Sequence, residues 1–399
     1  MRLRLTGPLF GLTLRGMLVI TTLLAVGMAF IGTKVKQARD EKAIAAEILR
    51  AGGRVRYEHY GIDSSTAQNS RTWFEQWIDL DLESHVINAT LSGPTVTDDT
   101  IAHLAGLPQL RYLLLNNTNV SGTGLAKLAQ LQSLRTLWIS GNTTDPLTDE
   151  ALAAIARLPA LTVLSMQKHD AQSTRQPGAV LGPDALTPLA RMPALTQLEL
   201  SGPGFRDEHF RQLPQHKRLF TLSLTGTGVS DAGLAGIAVA MPELRSLRIT
   251  SCPLTGVNFA CLRSCQNLNS LSLYQCAITD DDVAGIAQLD ELRFLTMSRD
   301  FQLTDEALRH IGVMTNLTWL DVQGAWFTDN GAQHLVGLTS LTQLSLNSKT
   351  GKFTDAGPFI AIKNLTNLAL GPQGLPASTA QQLQANMPRT VYSSLRAPR

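Results

Sequence analysis

Cysteine is scarce in this chain, four residues in 399, which excludes a scaffold built on disulfides. Charge is sparse too, at 17% of residues against the roughly 25% usual for soluble proteins. It is also nearly balanced, 34 Lys+Arg against 32 Asp+Glu, and a net charge of +2 gives no electrostatic case for a nucleic-acid partner. A Gly-rich phosphate loop, a nucleophile elbow and an H-E-x-x-H pair are all missing, so the sequence offers no catalytic, cofactor-binding or metal-binding set. What it has instead is leucine, about 16% of all residues, the mark of an ordered core rather than of disorder or collagen.

One long apolar run is present. Residues 16–33 (GMLVITTLLAVGMAFIGT) carry no charge, with Arg15 before and Lys34 after. As a helix they rise about 27 Å, close to a ~30 Å hydrocarbon core if the flanking cations snorkel. The run reads as an uncleaved signal anchor, with a cleaved signal peptide and a buried helix as the alternatives. Basic residues are nearly tied on its two sides, so orientation follows the usual behaviour of N-terminal anchors, which export the larger segment. From Lys34 to Arg50 helix formers dominate and Gly52-Gly53 stops them, predicting a juxtamembrane helix. Trp73, Phe74, Trp77 and Ile78 then recur at helical spacing and are expected to cap the open end of a core.

From residue 110 one phrase returns: L-x-x-L-x-L, an apolar residue, Thr/Ser-Asp, then a helical stretch. It starts at Leu110, Leu134, Leu161, Leu195, Leu219, Leu244, Leu268, Leu292, Leu317, Leu341 and Leu365, mostly 24 or 25 residues apart. A degenerate copy begins at Val86. The pattern resembles the leucine-rich repeat family, whose period is about 20–29 residues. That resemblance implies an α/β solenoid, a curved horseshoe with a parallel β-sheet on its concave face and helices on its convex face. Spacing physics agrees: helices need about 10 Å and strands about 4.8 Å, so the stack bends with strands inside. The expected organisation is a leader and transmembrane anchor over residues 1–35, a juxtamembrane helix and cap over 36–85, about twelve repeats over 86–389, and a tail over 390–399.

Within a repeat, alternation turns Leu271 and Leu273 inward and Ser270, Ser272 and Tyr274 outward. Thr279-Asp280 supplies a helix N-cap and a first-turn negative charge. The recurring Asp therefore reads as capping, since calcium needs six to eight shared oxygens. Three residues before each repeat the column is apolar except at His216, expected to mark a local irregularity rather than catalysis. Cys252, Cys261, Cys265 and Cys276 cluster in two repeats without C-x-x-C spacing and read as structural thiols, a Cys252–Cys276 bridge being the alternative. His103, His310 and His334 share a column assigned to the solvated convex face. An insertion within Lys168–Gly178 is expected to be a surface loop.

Outward strand positions are mostly Ser, Thr, Gln or Asn. Against them stand Tyr112, Trp138, Tyr274, Phe294 and Trp319, with charges at Glu199, Arg248 and Asp321. These eight residues are the expected partner-binding positions of the concave face, because exposed Trp and Tyr commonly anchor protein interfaces. The expected function is membrane-anchored recognition of another protein. A glycan-binding envelope module and a cytoplasm-facing scaffold or adaptor are the alternatives. The chain is similar to bacterial membrane-anchored proteins with a G-G-x-V-x-Y segment (Gly52–Tyr57) and T-D-x-x-L repeats. Similar T-D phrases occur in ubiquitin-ligase adaptors, but no adaptor-recruiting helical domain is visible.

The anchor reading has a direct check. Full-length protein should resist carbonate extraction, while a chain beginning at Ala51 should stay in the supernatant; release of the full chain would mean that residues 16–33 do not span a bilayer.

Overall fold

The computed structural model describes residues 14–59, 84–141, 147–167, 181–254, 259–299, 302–348, 353–371 and 374–394. The aromatic cluster Trp73–Ile78 and the insertion within Lys168–Gly178 lie outside them. Fourteen strands make one sheet in simple chain order: β1 (Arg54–His59), β2 (Ser84–Ser92), β3 (Tyr112–Asn116), β4 (Thr136–Ser140), β5 (Val163–Gln167), β6 (Gln197–Ser201), β7 (Thr221–Thr225), β8 (Ser246–Thr250), β9 (Ser270–Tyr274), β10 (Phe294–Ser298), β11 (Trp319–Ala325), β12 (Gln343–Ser348), β13 (Asn367–Leu370) and β14 (Val391–Ser394). β1 pairs with β2 antiparallel, and from β2 onward neighbours are parallel. A helical turn or α-helix lies between most successive strands, so each unit stacks only on its neighbours, as in a solenoid.

The register matches leucine to leucine. Leu222, Leu247, Leu271, Leu295 and Leu320 are successive partners across β7–β11, all with almost no exposure. The apolar residue before each cap is buried too, as at Val229, Ile278, Leu303 and Phe327. His216 takes its core column without opening it. Its Nε2 lies 3.1 Å from the Met192 carbonyl oxygen, while its Nδ1 accepts from the Arg218 N–H at 3.3 Å. Burial, the largest influence, holds its pKa below the usual value. It is a structural neutral histidine.

Thr148 and Thr304 cap as the sequence indicates, the Thr148 hydroxyl accepting from the Ala151 N–H and the Thr304 hydroxyl from the Glu306 N–H. Thr279 takes the cap position differently, its N–H (2.7 Å) and hydroxyl (2.8 Å) both donating to the Asp282 carboxylate. The following Asp does more than the local pattern suggests. Its carboxylate reaches across to the cap of the next repeat. Ser121 donates its N–H (2.7 Å) and hydroxyl (2.5 Å) to Asp98. Ser230 does the same to Asp207, Thr304 to Asp280 and Thr328 to Asp305. Charge-assisted bonds of this kind are roughly twice as strong as neutral ones. In these repeats they staple a helix to the one before. A methyl group at Gly331 would stand 2.1 Å from a carboxylate oxygen of Asp305, which explains a small residue there.

The N-terminal helix differs from its expected division. One continuous helix, α1, runs from Leu14 to Arg50, crossing the boundary drawn between anchor and juxtamembrane segment. Its apolar half is exposed, and by length and composition it can cross a membrane. Its second half closes the open end of the solenoid: Ala45 and Ile48 are buried, and Ile44 packs over Gly106. The buried Glu41 accepts from Gln37 (2.9 Å) and from the Val86 N–H (3.3 Å), and its Oε1 lies 3.1 Å from His85 Nδ1. A chain cut at Ala51 would lose this cap, so the soluble comparison in the carbonate extraction should begin near Lys34 instead of at Ala51. At the other end, β14 brings Val391–Ser394 into the sheet, inside the segment expected as a tail.

The register predicts a sharp asymmetry between neighbours. In urea unfolding, Leu271→Ala should lose about 2–5 kcal/mol through lost burial and a cavity. Ser272→Ala, on the outer face, should stay within about 0.5 kcal/mol. Equal losses would contradict the inward and outward assignment.

Candidate functional site

The residues facing out of the sheet form three rows, because parallel in-register strands place every repeat's equivalent position side by side. Tyr112, Phe294 and Trp319 fall in the first row; Trp138, Glu199, Arg248 and Asp321 in the second; Tyr274 in the third. All eight thus lie on one face, as expected, but they do not form one cluster. Tyr112 and Trp138 belong to the first repeats, with Glu199 between them and a central group.

That central group spans β8–β11. Arg248 is exposed and its guanidinium carbon lies 5.9 Å from the Tyr274 ring centroid. Phe294 and Trp319 are direct register partners and remain 45% and 39% exposed. Most other large apolar side chains on this sheet are buried, so two neighbouring exposed aromatics stand out as an unsatisfied surface. Asp321, two residues from Trp319, is half-buried and accepts from Gln323 Nε2 at 3.0 and 3.1 Å. Burial raises its carboxyl pKa, opposed by hydrogen bonds from Ser345 and Gln323.

Beyond Trp319 the sheet falls away into a depression of about 320 Å³. Trp319, Gln343, Asn367 and Val391 line its first-row side, and Ser345, Ala369 and Ser393 make a low floor. Val391 is 66% exposed. The sequence reading places its strand in the tail, yet it stands 24 residues after Asn367, one repeat period, in the same row. Elsewhere side chains are already engaged. Glu199 accepts from Ser165 (2.9 Å) and Gln197 (2.7 Å). Trp138 is half-buried, with an indole N–H that is buried and makes no hydrogen bond among the described residues.

The other chemistry-bearing groups serve the fold. None of the four thiols is in a disulfide; Cys252 lies beside the Thr227 hydroxyl (3.1 Å) and Cys276 donates to the Tyr274 carbonyl oxygen (3.3 Å). The Cys252–Cys276 bridge does not form. Burial pushes Cys261 and Cys265 up to about 11. His310 sits beside Glu306 on the helical side, and His103 pairs with Glu47 of α1 at 2.8 Å. Among the described residues no group of three His, Cys, Asp or Glu could hold a metal ion.

Among solved structures, the chain is similar to an internalin of Listeria monocytogenes, with 19% identity, 80% of this chain and 86% of that one covered, and a TM-score of 0.50. At that identity the likeness concerns fold alone. An LRR protein of Leptospira interrogans aligns at 16% identity over 77% of this chain and 89% of that one, with a TM-score of 0.42. A TLR13–ssRNA13 complex aligns at 18% identity over 77% and 50%, with a TM-score of 0.47. No protein-family model and no curated protein matches the chain.

Thiol labelling checks the burial pattern. At pH 8 native protein should react with iodoacetamide at well under one thiol per chain in the time unfolded protein loses all four, since Cys261, the one half-exposed thiol, is held protonated. Rapid native labelling of Cys252 or Cys276 would contradict their placement in the repeat turns.

Proposed function

The chain is a leucine-rich-repeat solenoid, and from that premise we propose that it is a membrane-anchored recognition protein whose concave sheet grips another protein. One observation carries the reading: Phe294 and Trp319, register partners on adjacent strands, stay exposed beside an apolar depression on a sheet face made mostly of Ser, Thr, Gln and Asn. Exposed apolar surface costs solubility, and an aromatic pair of this kind suits a partner's buried anchor. Arg248, Tyr274 and Asp321, in the second and third rows of the same face, add charge and hydrogen-bonding groups that would set a partner's orientation. Tyr112, Trp138 and Glu199 extend the same face toward the N-terminal repeats. We read the work of this face as binding rather than bond-making. α1 would hold the solenoid to a membrane, with the repeats on the exported side.

Capture from a detergent extract of membranes, with the full chain as bait, tests the surface. Trp319→Ala should weaken capture at least tenfold, about 1.4 kcal/mol, without lowering the melting temperature. His310→Ala, on the helical side, should leave it unchanged. Retained capture after both Phe294 and Trp319 are replaced would move the site to the Lys168–Gly178 insertion or the convex side, and retention on immobilised glycan without any captured protein would favour the glycan-binding alternative.

A further inference from the structure

The net charge of +2 conceals a strong separation. Among the described residues, the connections that lead from each helix into the next strand, β3 to β14, carry nine Lys or Arg against three Asp or Glu. The opposite rim, where strands lead into helices, carries fifteen Asp or Glu against two Arg, counting the first turns of the helices. Helix dipoles favour this arrangement at the helix ends themselves. Arg135, Arg245 and Arg293, however, each stand one residue before a strand, away from any helix end, and all are exposed. Arg157, Arg218 and Lys363 extend the same rim. Three exposed valines, Val239, Val313 and Val336, lie there too, at or just beyond helix C-termini.

α1 fixes where that rim points. Glu41 lies beside His85 and Val86, at the start of β2, and Ile48 lies against Gly53, which sits beside the Thr90 carbonyl oxygen farther along it. The helix therefore runs in the same direction as the strands, and its apolar half projects past the strand starts. Strands of a solenoid stand side by side, so all the strand starts share one rim and face the same way. From Thr33, where the apolar run ends, to Glu41 the helix rises about 12 Å. The headgroup zone occupies roughly 5–8 Å of that, within the reach of an arginine side chain and of the ~8 Å screening length.

We propose that the strand-start rim is a membrane-docking surface that binds the anionic headgroups of the bilayer crossed by α1. The proposal rests on the reading of α1 as a membrane anchor. Basic residues held near an anionic leaflet are attracted to it, and the valines suit the interfacial zone. The solenoid then lies flat on the membrane, with strands along the bilayer normal and the acidic rim facing away.

Full-length protein reconstituted into vesicles tests this. A fluorophore is placed on Lys363→Cys in the basic rim or on Asp281→Cys in the acidic rim, against a headgroup-attached quencher. In phosphatidylcholine with 30% phosphatidylglycerol, the Lys363→Cys probe should be quenched at least threefold more than the Asp281→Cys probe. The excess should shrink in pure phosphatidylcholine, in 0.5 M NaCl, and in a variant with Arg135, Arg157, Arg245 and Arg293 changed to Glu. The salt and lipid comparisons hold for the native rim even if that variant folds poorly. Equal quenching at the two positions, or quenching indifferent to lipid charge, overturns the proposal while leaving the anchor intact. Release of the chain by carbonate overturns the anchor reading and the proposal together. Loss of the excess on adding equimolar single-stranded RNA would overturn it in favour of nucleic acid.

Discussion

Each repeat buries its leucines only against the repeats on either side, so the core has no centre and every unit is held by two neighbours. In-register parallel pairing stacks Leu271 between Leu247 and Leu295, and the carboxylate staples repeat the same logic on the helical side. Asp280 holds the cap of the following helix through Thr304, whose own neighbour Asp305 holds Thr328. Helices spaced by these bonds and strands spaced by their ladder cannot run straight, and the sheet is left on the inner wall. A chain built this way must also close its two ends, where a repeat has one neighbour instead of two. α1 closes the first through Ile44, Ala45 and Ile48. At the other end the Leu375 N–H donates to the Tyr392 hydroxyl, tying the last strand to the loop that precedes the last helix.

Much of this was legible in the sequence because it repeats. The period, the inward leucines, the apolar column before each cap and the Thr caps all follow from spacing within about ten residues. The cap function of α1 was harder to see. Glu41, Ile44, Ala45 and Ile48 do share helical spacing, but a run of helix formers beside an apolar span fits a juxtamembrane helix equally well. The Asp staples link residues 23 to 25 apart, so a local reading explains the carboxylate completely and stops one step short. Val391 and the depression beside Trp319 needed the register carried one strand past the last clear leucine phrase. The charge separation was equally present in the letters. Net charge hid it, and only the assignment of each Lys, Arg, Asp and Glu to a rim of the solenoid brings it out.

The eight residues expected on the concave face do lie there, yet the structure ranks them. Phe294 and Trp319 present open aromatic surface, while Glu199 and Trp138 are largely absorbed by their neighbours. The fold therefore offers surfaces of different chemistry: an aromatic and polar wall across the strands, and a basic rim at their starts. With the strands along the bilayer normal, the wall would open sideways, parallel to the membrane. That geometry suits a partner that is itself held at the same surface.

The concave wall as the meeting place is most directly tested by site-specific photocrosslinking in living cells. A benzophenone amino acid would replace Gln343, on the wall beside Trp319, or Arg309, on the outside of a helix. Irradiation should give a discrete higher-mass adduct from position 343 and none from position 309. Adducts from position 309 alone would contradict recognition through the concave sheet and place the partner on the helices.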